Sequence, residues 1–443
     1  MLKVLPFVLL GALCFSNLGF INFGDIDALK NAVQVVNARI TQNQSKQNNA
    51  QAAPVKEEII FEDATGNPVQ GISEEIVPNE QNILRLHWNV VPNAVKYEIF
   101  IGGTTFISFT NGIEIPVSDI NANFQVNAIS LEGTTIENKI SIANIDTNPI
   151  SPRTTTEFDK MKYPPVYPVY SWIPTNGADH YEIELIKDNK IVRRYFTQVN
   201  PQDDNFDFYD KRPVLEEGEY FWRVRGFNIN NQPVTQWSTK DASNSFKVER
   251  QIRFCALGDS ITHGGGAISV PPSTVIYNWE NYCAVPIKNI GRSGDTTSEV
   301  MDRFENDVLP FRPEVLFIMA GVNDYRGYIS AWESVDNLAI LRDKCYQYGI
   351  LPVFITPTPL NSAQIQKVGF VELPPPDWKE RQQIICNWIR AQDYFIDVNE
   401  KLTDANGDLS VTISIDGLHP DAEGKRIIGE TVSAWLDGYI KSK

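Results

Sequence analysis

The sequence predicts a multidomain chain, with two all-β sandwiches followed by an α/β three-layer domain. Three observations predict it. The chain has 443 residues, more than a single hydrophobic core usually serves, so roughly two to four domains are expected. Within 55–245, short alternating or β-branched runs recur between Gly, Pro and Asn turns, and a Trp-to-Tyr motif occurs twice. From Ile252 onward, apolar runs alternate with helical stretches, the pattern of a parallel sheet with helices on both faces.

Composition bounds the partners. Hydrophobic content is 42% and charged content 21%, ordinary for a soluble globular protein. The net charge of -16 argues against nucleic acid or an anionic membrane surface, both of which favour basic patches. A neutral polysaccharide remains open. The four histidines are scattered and no CxxC or HExxH spacing occurs, so neither a metal nor a cofactor is expected.

Residues 1–20 are apolar, with Lys3 ahead of the run Val4–Phe15. This pattern reads as a secretory signal, with Cys14-Phe15-Ser16 a mediocre cleavage site. The stretch is nearly membrane-length, so an uncleaved N-terminal anchor is the alternative. Gly11-Ala12-Leu13-Cys14 departs from a lipoprotein box, since Leu13 is large beside the cysteine. Either reading implies a secreted or cell-envelope protein whose membrane attachment, if any, runs through this segment. Residues 21–54 read as a short helix and a flexible linker. Ile26, Leu29, Val33, Val36 and Ile40 form a helix stripe, for docking, self-association or packing on the same chain. Residues 42–54 are rich in Gln, Asn and Ala.

The first sandwich is expected over 55–150 and the second over 151–248. Trp88, Ala94, Tyr97, Glu98 and Ile99 have counterparts at the same offsets in Trp172, Ala178, Tyr181, Glu182 and Ile183. A later strand also recurs, Asn123–Ile129 beside Tyr220–Gly226. These segments resemble fibronectin type III domains. The resemblance implies a tryptophan packed between two sheets with the tyrosine strand after it. His87 and His180 fall inside strands with no second ligand type nearby and read as structural. Tyr220, Trp222 and Trp237 offer aromatic surface that sugar would stack on, and core packing explains them equally well. A spacer or scaffold is the simpler role for these domains.

The α/β domain is expected over 249–443. Strands are expected at Ile252–Leu257, Pro286–Ile290, Val315–Ala320, Leu351–Thr356 and Tyr394–Val398. Helices are expected at Ser298–Val308, Ala331–Tyr348, Asp377–Ala391 and Ala422–Ile440. Asn361–Pro375 is a longer insertion on the edge where such sheets place ligands, and its position would let it shape a cleft. Cys255, Cys283, Cys345 and Cys386 lie in predicted strands or helices, which suits small buried thiols; export leaves disulfides open.

Four short blocks stand in order at the ends of these elements: Gly258-Asp259-Ser260, Ser293-Gly294-Asp295-Thr296, Gly321-Val322-Asn323-Asp324, and Asp416-Gly417-Leu418-His419. Any one of them alone is turn or cap chemistry. Together they resemble the blocks of the SGNH (GDSL-type) hydrolases, and the resemblance covers Ile252 to the C-terminus. It implies a flavodoxin-like α/β sandwich and a serine esterase. Ser260 would be the nucleophile, His419 its base and Asp416 the group that orients the imidazole. The backbone N–H groups of Ser260 and Gly294 and the side-chain amide of Asn323 would form the oxyanion hole. The Gly-x-Ser-x-Gly elbow of another hydrolase class is absent, because Thr262 stands at its second glycine. His263, three residues past Ser260, is a rival base on the outgoing turn, and Asp259 reads as a loop stabiliser. These residues imply an esterase for acetyl or other short acyl groups, with acetylated polysaccharide the substrate that the attached sandwiches suggest. The alternatives are a lipase- or lysophospholipase-like esterase, and a cell-surface carbohydrate-binding protein whose hydrolase domain is inactive.

Overall fold

The computed structural model describes residues 75–77, 81–119, 121–197, 206–266, 270–369 and 371–443. The readings of 1–20 and 21–54 lie outside the described residues.

The first β-rich unit is a sandwich. Its strands are β1 (Asn82–Trp88), β2 (Lys96–Ile101), β3 (Thr104–Ser108), β4 (Gly112–Val117), β5 (Phe124–Ile129), β6 (Thr135–Glu137) and β7 (Ile142–Thr147). They pair into two antiparallel sheets, β4-β1-β7 and β3-β2-β5-β6. Alternate residues point inward, so Leu84, Leu86 and Trp88 meet Tyr97, Ile99 and Ile101 in one core. The second unit contains β8 (Val169–Ser171), β9 (His180–Lys187), β10 (Lys190–Phe196), β11 (Asp207–Tyr209), β12 (Gly218–Phe227) and β13 (Ser245–Val248). Its sheets run β10-β9-β12-β13 and β11-β8.

The sequence repeat has a packing cause. Trp88 and Tyr97 rings lie 5.1 Å apart, and Trp172 and Tyr181 rings 5.0 Å apart. Each tyrosine hydroxyl also accepts a backbone N–H six residues earlier, from Val91 at 3.0 Å and from Thr175 at 2.7 Å. The fixed offset thus satisfies a hydroxyl that would otherwise be buried without a partner.

Of the two readings left open for the aromatic residues, core packing holds for Trp222 and Tyr220. Trp222 is fully buried and packs against Tyr170 and Trp172, and Tyr220 is buried beside Phe246. The third aromatic, Trp237, lies under the guanidinium groups of Arg223 and Arg225, at 4.2 and 4.6 Å. These arginines are held by Glu184 and Glu182. The three rings are therefore occupied by core packing and cations rather than offered to a sugar.

The third unit is built on a five-stranded parallel sheet: β14 (Phe254–Gly258), β15 (Lys288–Gly291), β16 (Val315–Met319), β17 (Leu351–Ile355) and β18 (Phe395–Ile396). The order is β15-β14-β16-β17-β18. This is the doubly wound order whose strand sequence reverses between its first and third strands, and ligands bind outside the carboxyl ends at that point. Every residue of β14, β15 and β16 is buried, as a sheet covered on both faces requires. The main helices are Ala331–Gln347, Trp378–Arg390 and Ala422–Lys441. The helix expected over Ser298–Val308 is interrupted: Thr297–Asp302 and Phe304–Asp307 flank Arg303, which leaves helical geometry at φ -93° and ψ 2°. The insertion contains a helix of its own, Ser362–Val368, capped by Asn361. Cys255, Cys283, Cys345 and Cys386 are all buried and free. Among the described residues, no helix is long and apolar enough to cross a membrane.

The second sandwich and the α/β unit share a continuous hydrophobic core, in which Val166, Tyr167 and Trp222 are grouped with Leu257, Ile290 and Phe317. The first sandwich keeps most of its apolar residues in a separate core.

Candidate active site

The four sequence blocks converge at the carboxyl edge of the parallel sheet. β14 ends at Gly258, and Asp259 caps the short helix Ser260–His263 by accepting from Ile261 N at 2.9 Å. Ser260 is thereby held at the first position of a helical turn, with its hydroxyl beside the imidazole of His419. The Ser260 Oγ to His419 Nε2 distance is 3.1 Å. On the other side of the ring, His419 Nδ1 lies 2.8 Å from Asp416 Oδ2. A carboxylate only accepts, so Nδ1 carries the proton and Nε2 is left to accept from Ser260.

Asp416 is completely buried. Its Oδ1 accepts from Leu418 N and His419 N, each at 2.7 Å, and from Ser414 Oγ at 3.2 Å. The three-residue spacing from Asp416 to His419 closes this loop. Gly417 has φ +79°, and a Cβ there would stand 2.6 Å from Asn361 O. Only glycine fits the turn. The start of the insertion braces it: Asn361 N donates to Gly417 O at 2.8 Å and Gln364 Nε2 to Ile415 O at 2.7 Å.

The other two blocks are joined to each other by a hydrogen bond. Gly294 follows β15 with φ +91°, where L side chains are strained. Thr296 and Glu299 form a reciprocal capping box that starts the next helix immediately beyond it. After β16, Asn323 lies in the helical turn Val322–Arg326, and its Nδ2 donates to Asp295 O at 2.9 Å. The amide has a second N–H, and Asn323 Oδ1 accepts from Arg326 Nη2 at 3.3 Å. Arg326 thus fixes which end of the amide is the donor.

His263 is not placed to act on Ser260. It is buried, with Nδ1 facing Ser293 and Nε2 2.8 Å from Tyr167 O. Burial pushes its pKa down to about 4. His87 is also structural in its contacts, lying between Asn111 and Asn144, with burial lowering its pKa to about 4. His180 is buried and stacks on Phe227 at 5.4 Å. Among the described residues, no group of three or more His, Cys, Asp or Glu side chains is arranged to hold a metal.

Residues 256–427 match the model of the GDSL-like Lipase/Acylhydrolase family. The C-terminal domain belongs to that family. A search of curated proteins finds 34% identity over 80 residues with an uncharacterized lipoprotein, YqeF, of Bacillus subtilis strain 168. The match covers 17% of this chain, which spans about a third (33%) of that lipoprotein. Similar solved structures include a lipase/acylhydrolase from Enterococcus faecalis, at 24% identity and TM-score 0.36, covering 42% of this chain and 96% of that one. Another is an acetylxylan esterase from Geobacillus stearothermophilus, at 18% identity and TM-score 0.32, covering 42% and 94%.

Several residues that support the GDSL-like site carry no sequence signal of their own. Arg303 reaches Asp295 Oδ2 at 2.5 Å, Asp307 Oδ2 at 3.1 Å, Ile290 O at 2.7 Å and Gly258 O at 2.8 Å. It ties the ends of β14 and β15 to the Gly294 block. Lys425 is fully buried in the last helix and donates to Ile261 O at 2.5 Å. Burial lowers its pKa and raises that of the nearby Glu280. A charged residue inside a helix gives no hint of such a position until the fold closes over it.

Asp259 gives a pH test of this packing. Desolvation raises its carboxyl to about 7, well above the ordinary carboxylate value. The folded protein therefore retains a proton that the unfolded chain gives up near pH 4. The resulting stability is complete below that pH and is lost as pH rises through about 7. Asp259→Asn keeps the capping oxygen without the charge. Its stability relative to wild type should rise by about 2–3 kcal/mol between pH 5 and pH 8, read from urea midpoints at the two pH values.

Proposed function

We propose that this chain is an extracytoplasmic serine esterase that removes acetyl or another short acyl group, with O-acetylated polysaccharide as its substrate. The observation that carries the esterase reading is the hydrogen-bonded line from Ser260 Oγ through His419 to Asp416, with links of 3.1 and 2.8 Å. Ser260 Oγ attacks the ester carbonyl carbon while His419 Nε2 takes its proton, and Asp416 stabilises the imidazolium. The carbonyl oxygen becomes an oxyanion, held by the N–H groups of Ser260 and Gly294 and by Asn323 Nδ2. The intermediate collapses, the ester C–O bond breaks, and the leaving alcohol takes the proton from His419. Water, deprotonated by His419, then cleaves the acyl-serine and regenerates Ser260. Export rests on the apolar 1–20 pattern and on the similarity to a protein named a lipoprotein. The polysaccharide assignment rests on architecture: two β-sandwiches, read as fibronectin type III-like spacers, precede the hydrolase unit.

The test is hydrolysis of aryl esters of increasing acyl length, followed by acetate release from acetylated and deacetylated xylan. Highest kcat/KM on acetyl esters with acetate release from the acetylated polymer supports the proposal. A preference for long acyl chains favours a lipase-like esterase. Folded protein inert on every ester favours the binding-protein reading. Within the active enzyme, Asn323→Ala should lower kcat by about 10²–10³-fold, the usual effect of removing one oxyanion donor. A stopped assay at saturating ester checks it.

A further inference from the structure

A buried histidine links the second sandwich to the proposed oxyanion loop. β15 is the edge strand of the parallel sheet, and an uncovered edge invites unwanted pairing. Here residues 164–167, ahead of β8, run along it. Lys288 Nζ donates to Pro164 O at 2.7 Å, and Val166 N donates to Asn289 O at 2.9 Å. The strap ends at Tyr167, whose carbonyl lies 2.8 Å from His263 Nε2. Its hydroxyl donates to Asp307 Oδ2 at 2.7 Å, the same oxygen that Arg303 binds.

A carbonyl only accepts, so His263 Nε2 carries the ring proton and Nδ1 is an acceptor. Nδ1 receives the Ser293 backbone N–H at 3.2 Å and lies 2.9 Å from Ser293 Oγ. The next peptide N–H along the chain is that of Gly294. The ring is buried and held at both nitrogens, by Tyr167 O and by Ser293 N–H.

We propose that His263 is a positioning residue, clamped by Tyr167 O of the sandwich, that sets the Ser293–Gly294 peptide as an oxyanion donor. This rests on the esterase reading above. Gly294 has no side chain to anchor it, and Arg303 and Asn323 hold the next residue, Asp295, rather than the Ser293–Gly294 peptide. The sandwich is then part of the active-site framework.

Two substitutions divide the histidine's two bonds. In His263→Asn the side-chain oxygen falls near the position of Nδ1 and keeps the Ser293 N–H bond, while the reach to Tyr167 O is lost. In His263→Gln the amide nitrogen falls near Nε2 and keeps the Tyr167 bond, while the Ser293 acceptor is lost. Both are made in the full chain and assayed on an acetyl aryl ester, well below their unfolding midpoints. Active sites are counted by saturating Ser260 with a fluorophosphonate. Each variant should show kcat per labelled site reduced by roughly 10- to 100-fold, the scale of a small misplacement of a reacting group, with KM changed less than about twofold. Wild-type kcat per site in either folded variant overturns the proposal. So does a loss that appears only as fewer labelled sites, because that is destabilisation alone. Ser260→Ala separates the two levels: if it is as active as wild type, the assignment of Ser260 as nucleophile fails, whatever His263 does.

Discussion

Replacing Ser260 with alanine should reduce kcat on a short-chain aryl ester by at least about 10⁴-fold, with the fold intact. The side-chain oxygen is the only atom removed. The hydrogen bond it loses is the one to His419, so little stability depends on it. The three proposed oxyanion donors survive, because Ser260 would contribute its backbone N–H and the others would come from Gly294 and Asn323. A residual rate above that in water is therefore expected, on the scale of 10³–10⁴-fold in triad enzymes stripped of a member. The measurement is kcat for both proteins at saturating ester, beside their unfolding midpoints. Equal rates would show that another group attacks the ester. Unchanged activity is the result that unseats the whole assignment, whereas a large loss with an unchanged midpoint leaves Ser260 as the nucleophile.

The second large effect is on stability. Arg303→Met should destabilise the protein by about 3–5 kcal/mol, the usual outcome of breaking a buried charge network from one side. Methionine fills much of the same volume, so the loss is not mainly a cavity. Asp295 and Asp307 would be left buried without their shared cation, and Gly258 O and Ile290 O would each lose a donor. The midpoint of urea unfolding for variant and wild type checks it. A shift below about 1 kcal/mol would mean that the network is replaceable by packing, as some buried ion pairs are.

Much of the α/β unit was legible because its signals are local. Val315–Met319 is apolar throughout and is a fully buried strand, and Asp416 to His419 are close enough in sequence for one loop to bring them together. The Trp-to-Tyr repeat was legible for the same reason, since each tyrosine reaches a backbone N–H only six residues away. What stayed hidden is non-local. Arg303 sits in a stretch of unbroken helical pattern, and its departure from the helix is tied to acceptors on three other segments. Tyr167 contributes a carbonyl, which every residue has, to a histidine 96 positions later. Trp222 and Trp237 were ambiguous because burial and arginine stacking depend on neighbours brought in by pairing with β9. The insertion after β17 concealed a helix because Asn361, its cap, reads equally as a turn residue.

The shared core described above bears on how this protein can be taken apart. A border drawn at the last strand of the second sandwich, near Val248, cuts through packed side chains rather than through a linker. Severing there would strip Val166 and Tyr167 from Ile290 and uncover the backbone of β15. The chain after Thr147 is a more natural place to divide it, since the first sandwich keeps a core of its own. The second sandwich and the α/β unit then form one packed body, and exchanging one sandwich for another in front of β14 would disturb the α/β unit itself.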